Sequence, residues 1–156
     1  MPEGKNGSKS RISDIEYEQM LLSRYTIAQH RHSSGLDRSV YLIMSRIDGQ
    51  GPMSIAQLSH ALRLESSTLQ RQVTVAIKEG YLERMADPDG HVARKITLTH
   101  FGEEQLADAR ATSIEALEQI MGDWSSKDVD QFAHFLNRFN NAIEEYSQLR
   151  RGQKNG

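Results

Sequence analysis

Between residues 52 and 101 the apolar pattern runs from helical spacing to alternation and back, an order that few folds accept. Ser54-Ile55-Ala56-Gln57 opens a short helix, with Ser54 and Gln57 spaced as a capping pair, and Leu62-Arg63-Leu64 turns the chain. A second helix is expected from Ser66 to about Glu79, and Gly80 is placed to stop it. Residues 81–85 and 94–98 then alternate as two strands, with Asp87-Pro88-Asp89-Gly90 as the turn between them.

The second helix carries the most information. Leu69, Val73, Ala76 and Ile77 recur at helical spacing and form an apolar stripe. Ser67, Arg71, Thr74 and Lys78 fall on the opposite face, and no acid lies between Ser66 and Lys78. Such a face is ordinary for a solvated helix, yet hydroxyls and a guanidinium also suit base edges and phosphates in a major groove. Context favours the second reading, because a short helix, a turn, a longer helix and a hairpin are the parts of a winged helix-turn-helix. On that reading Arg71 is the leading base or phosphate contact, with Ser67, Thr68, Gln70 and Thr74 around it. Ser66 stands at the helix start, where backbone amides can hold a phosphate. His91, Arg94 and Lys95 would serve the hairpin, or wing.

Residues 58–99, and more loosely the whole chain, resemble a MarR-type transcriptional regulator. The resemblance rests on Ser54-x-x-x-Leu58-x-x-x-Leu62, on Arg71, and on Lys78-Glu79-Gly80-Tyr81-Leu82-Glu83-Arg84. Asp87-Pro88-Asp89 then opens the wing and Ile96-Thr97-Leu98-Thr99-x-x-Gly102 closes it. There is one departure. The family's wing usually carries arginine after its Asp-Pro-x-Asp, whereas this chain reads Gly90-His91-Val92. His91 therefore takes the usual arginine position, which leaves minor-groove contact by the wing open. The resemblance implies a homodimeric repressor released by a small-molecule ligand. It implies a ligand pocket where the first two helices and the long helix after the wing meet the reader. Tyr25, Tyr41 and Met44 are its candidates, with core packing as the alternative for each. A two-fold dimer would set two recognition helices about 34 Å apart and call for an inverted-repeat operator in double-stranded DNA.

The expected fold class is mainly α (α+β), a winged helix-turn-helix at residues 36–101 between long N- and C-terminal dimerisation helices. Residues 1–10 have almost nothing to bury and read as a disordered tail, either solubilising or touching phosphates through Lys5, Lys9 and Arg11. Ser13-Asp14-Ile15-Glu16 has the capping-box pattern and starts the helix assigned to residues 11–35. Residues 36–47 form the next helix, with Val40, Ile43, Met44 and Ile47 buried, before a loop at Asp48-Gly49-Gln50-Gly51-Pro52. After the wing, a long helix carries Leu106, Ala109, Ile114, Leu117 and Ile120 to a stop at Gly122-Asp123. Trp124, Ser125 and Val129 have the spacing of a hydrophobic staple around a serine cap. The last helix holds Phe132, Phe135 and Phe139, three of the four phenylalanines, a density that suits a packed interface. A second copy and the preceding helix of the same chain are both possible partners for it. Residues 102–149 are read as C-terminal dimerisation helices and residues 150–156 as a second disordered tail.

Net charge is −2, which by itself argues against a nucleic-acid partner. Its distribution does not, since residues 102–149 hold three bases against ten acids while residues 51–95 hold six against five. Binding would rest on a local patch and depend on salt. The absence of cysteine excludes disulfides, thiolate zinc sites, a cysteine nucleophile and thiol-based sensing. No apolar run nears the roughly 20 residues of a membrane helix, and no leader pattern precedes the first helix. A cytoplasmic location is expected. The six histidines include no His-x-x-x-His pair, so no metal is expected. No phosphate loop or nucleophile elbow is present, and Glu103-Glu104 and Glu144-Glu145 read as solvated helix faces. Neither enzymatic activity nor a cofactor is expected. Arg84 and Asp87 bracket the first wing strand and would pin its angle. A winged helix used only for protein interaction is the rival reading, kept open by the wing and the acidic C-terminal half.

Overall fold

The computed structural model describes residues 6–32, 36–85, 89–90 and 95–154, and it divides into two units, residues 1–112 and 113–156. Among the described residues six helices and two strands follow in the order α1 (Asn6–His32), α2 (Arg38–Gln50), α3 (Ile55–Leu62), α4 (Ser66–Lys78), β1 (Leu82–Met85), β2 (Lys95–Leu98), α5 (His100–Ile120) and α6 (Ser126–Lys154).

In the first unit, α2 supplies the floor of the core. Val40, Ile43, Met44 and Ile47 follow the i, i+3, i+4, i+7 rule and all are buried. Leu58 of α3 and Leu69, Val73 and Ala76 of α4 close over them, with Leu82 and Ile96 from the strands and Leu106 from α5. Each such side chain contributes about 1.5–3 kcal/mol on leaving water, which is why α4 is held by its apolar stripe more than by helix propensity. The strands pair antiparallel, Leu82 opposite Leu98 and Met85 opposite Lys95. Met53 adds a one-residue third strand, exchanging both backbone hydrogen bonds with Ile96 at 3.0 and 2.7 Å.

Three boundaries differ from those expected. Helix α1 begins at Asn6, inside the stretch read as a tail, so Ser13-Asp14-Ile15-Glu16 lies within the helix and does not start it, and α6 runs on to Lys154, past the expected end at residue 149. Extending an existing helix gains one hydrogen bond per residue without a new nucleation cost, so residues with nothing to bury still join it. Helix α2 likewise takes in Asp48, Gly49 and Gln50, all read as loop. The stop comes at Gly51, whose φ of 85° suits glycine and whose N–H donates to the Ile47 carbonyl at 2.7 Å. Asp48 is there held at 3.1 Å by Arg110 of α5.

The second unit contains the end of α5, a turn over residues 121–125, and α6. Ser125 caps α6 as expected, accepting from the Asp128 N–H at 3.1 Å. Trp124 packs edge-on against Phe132, ring centres 5.5 Å apart. Beyond that contact the apolar residues of α6, from Phe132 to Leu149, remain exposed.

Candidate nucleic-acid interface

The reader is built by local signals acting in sequence. Ser54 and Gln57 form the expected capping box, Ser54 Oγ accepting from the Gln57 N–H at 3.1 Å and Gln57 Oε1 from the Ser54 N–H at 2.9 Å. The turn after α3 bends through Arg63, whose φ of 55° is the left-handed conformation that commonly ends a helix. Ser59 Oγ donates to the Leu64 carbonyl at 2.6 Å and ties that turn down.

Helix α4 ends in a Schellman motif. The Gly80 N–H donates to Ile77 O and the Tyr81 N–H to Ala76 O, both at 3.0 Å, with Gly80 at φ 85°. The chain then enters β1 directly, so the end of α4 sets where the wing starts. Thr99 locks the other end of the hairpin to the same point. Its hydroxyl donates to the Gly80 carbonyl and accepts from the Gly102 N–H at 2.9 Å, and its own N–H donates to the Tyr81 carbonyl at 3.1 Å. One threonine thus caps α5 and fastens it to the end of α4.

On α4 the stripe residues turn inward and Ser66, Ser67, Gln70, Arg71, Thr74, Val75 and Lys78 are exposed. Thr68 is half-buried on the flank of that face. Thr74 spends its hydroxyl proton on the Gln70 carbonyl at 2.7 Å, so only its acceptor lone pairs are left for a base. At the helix start no side chain caps the first amides, because Glu65 occupies the N-cap without a side-chain hydrogen bond. Those amides are available to a phosphate, but the exposed Glu65 carboxylate beside them opposes one, a feature absent from the sequence reading.

In the wing, Lys95 is half-buried at the first position of β2, and Arg84 is exposed on β1 opposite Ile96. His91, Arg94 and Asp87 lie outside the described residues. Of the ligand candidates, Met44 is fully enclosed in the core and Tyr41 packs half-buried at its edge. Tyr25, half-buried on α1, has its hydroxyl shielded from solvent and without a hydrogen-bond partner among the described residues. No group of His, Cys, Asp or Glu among the described residues is arranged to hold a metal ion. None of the helices there is long and apolar enough to cross a membrane.

Two findings were not readable beforehand. Met53 lies just past the Asp48–Pro52 stretch read as loop, and nothing in its local pattern announces the β-bridge to Ile96. Val75, which belongs to neither the apolar stripe nor the polar face read from the sequence, is 49% exposed on the side of α4 that carries Arg71.

The architecture matches known proteins in both sequence and shape. The profile of the MarR family matches residues 36–90, which span α2 to the wing turn. The uncharacterized HTH-type transcriptional regulator YxaD of Bacillus subtilis (strain 168) is 31% identical over 133 residues, 83% of this chain and 92% of that protein. The chain belongs to the MarR family. A MarR family protein from Bacillus stearothermophilus shares its fold with a TM-score of 0.76 at 16% identity, over 86% of this chain and 96% of that one. The PcaV transcriptional regulator from Streptomyces coelicolor, solved with its natural ligand, does so with a TM-score of 0.61 at 13% identity, over 81% and 90%. This MarR chain is accordingly a winged-helix, DNA-binding transcriptional regulator, and its relatives are regulators rather than enzymes.

Proposed function

We propose that this MarR chain works as a cytoplasmic homodimer that represses transcription from an inverted-repeat operator and is released by a small molecule. The observation that carries the DNA reading is the acid-free outer face of α4, on which Arg71 stands exposed between Ser67, Gln70, Thr74 and Lys78. Arg71 meets a base edge or phosphate, and Ser66, Ser67, Thr68, Gln70 and Thr74 complete the contact. Lys95, His91 and Arg94 extend it through the wing. Homodimerisation is supported by the apolar residues that α1 and α6 leave uncovered, among them Ile12 at 64% and Phe135 at 57% exposure.

The ligand reading is supported by PcaV, a structural neighbour with a natural ligand. Within this chain it is supported by Tyr25, since a shielded phenol without a partner among the described residues is a group that a ligand's polar atom would satisfy. Tyr41 would line the edge of such a pocket, while Met44 serves as core. The ligand acts by binding better to the dimer spacing that does not fit the operator.

Binding of the purified chain to duplex DNA from upstream of its own gene tests the reading, against a scrambled duplex at two salt concentrations. Saturable binding that beats the scramble and weakens with salt is the expected result. Equal weak binding to both, repeated across a pool of genomic fragments, would sink the repressor reading.

A further inference from the structure

The outer face of α4 holds one residue that neither the core nor the charge pattern explains. Val75 is 49% exposed, while Leu69, Val73 and Ala76 complete the buried stripe without it. Valine is a poorer helix former than the Lys, Gln, Arg or Ala usually found at exposed helical positions. Here it is absent from the core and from the side chains packed against it. A local preference broken at an exposed site, in an otherwise consistent element, points to a partner outside the chain.

Its neighbours indicate the chemistry of that partner. At about 100° per residue, Val75 lies about 40° around the helix from Arg71 and about 6 Å further along it. Thr74 precedes it and Lys78 follows three residues later, both exposed; no acid lies between Ser66 and Lys78, and the first carboxylate on this side is that of the exposed Glu79, at the helix end four residues past Val75. A face that is cationic and hydroxylic with an apolar edge matches a major groove, where the thymine C5-methyl is the apolar group presented by the bases.

We infer that Val75 is a specificity-determining residue that packs against the C5-methyl of a thymine in each operator half-site. Residues three apart on a helix lying in the major groove meet successive bases, so a four-residue step places the thymine about one to two pairs from the Arg71 contact. The inference rests on the DNA reading above and adds to it a base at a stated place.

Deoxyuridine scanning tests it with the full chain. Each thymine of a half-site is replaced in turn by deoxyuridine, which lacks only the methyl, and affinities are measured for the wild type and for Val75→Ala. At one thymine the replacement should weaken wild-type binding about fourfold, the value of one buried methyl. Val75→Ala should weaken binding to the unmodified operator by at least as much and be indifferent to deoxyuridine at that position alone. Circular dichroism should be unchanged, since the side chain packs on nothing in the core. If the two losses add at every thymine, Val75 reads no methyl, and the inference is overturned while the DNA reading stands. If no genomic fragment binds saturably, both are overturned together.

Discussion

A β-carbon at Gly102 would lie 2.1 Å from the Tyr81 carbonyl oxygen, closer than any side chain tolerates. The obstacle is backbone, so relief requires α5 and the end of α4 to move apart. Gly102→Ala is therefore expected to destabilise the chain by roughly 1–3 kcal/mol, the usual cost of overpacking, read as a lower thermal midpoint. An unchanged midpoint would show that the joint is looser than its geometry. Arg71 poses the opposite case, a residue with no role in the fold. Arg71→Ala should leave stability and oligomeric state intact and cost about 1–3 kcal/mol of operator affinity. The salt dependence identifies its target: a slope reduced by about one marks a phosphate, and an unchanged slope with relaxed specificity marks a base. Both residues were visible in the sequence, but for different reasons. Arg71 could be placed from helical spacing alone, whereas the need for Gly102 comes from a carbonyl 21 positions earlier, which no local pattern encodes.

Among the elements, those with local start and stop signals were the legible ones. The Ser54–Gln57 box, the Gly80 stop and the Ser125 cap all act within a few residues, and each formed as its spacing required. Such signals were overridden where a helix could simply be extended: the Ser13–Glu16 pattern lies inside α1, which begins at Asn6, and α2 and α6 ran past their expected limits to Gln50 and Lys154 because propagation is cheap. The Met53–Ile96 bridge joins positions 43 apart and left no local trace in the sequence. Thr99 links the two kinds of information, since it is a local cap for α5 and a long-range tie to Gly80 and Tyr81. Thr99→Val keeps the shape and removes the hydroxyl, so a loss of about 0.5–2 kcal/mol is expected in a denaturant titration. Thr99→Ser should restore most of it. If Ser does no better than Val, the methyl group rather than the hydrogen bonds fixes the joint.

At the scale of the whole molecule, charge and apolar surface are segregated along the chain. The reader keeps its acids off the outer face of α4, while residues 102–149 carry ten acids against three bases. The same C-terminal stretch leaves Phe135, Phe139, Ile143, Tyr146 and Leu149 between 41 and 70% exposed. Spacings of three and four residues put much of this set on one stripe of α6, a surface that water disfavours and a second copy would cover. Phe135→Glu combined with Phe139→Glu should therefore yield a monomer in sedimentation equilibrium, because two carboxylates cannot be buried there unpaired. The reader's core draws on neither residue, so its folding should survive. The consequence for DNA follows from linkage of sites: a dimer holding one half-site presents its second reader at high effective concentration, which is worth about 10²–10⁴ in affinity. The double variant should lose a factor of that order on a full inverted repeat and almost nothing on an isolated half-site. Equal losses on both would mean that α6 supports the reader itself, and a variant that stays dimeric would place the interface elsewhere, with α1 and its exposed Ile12 and Ile15 the next surface to substitute.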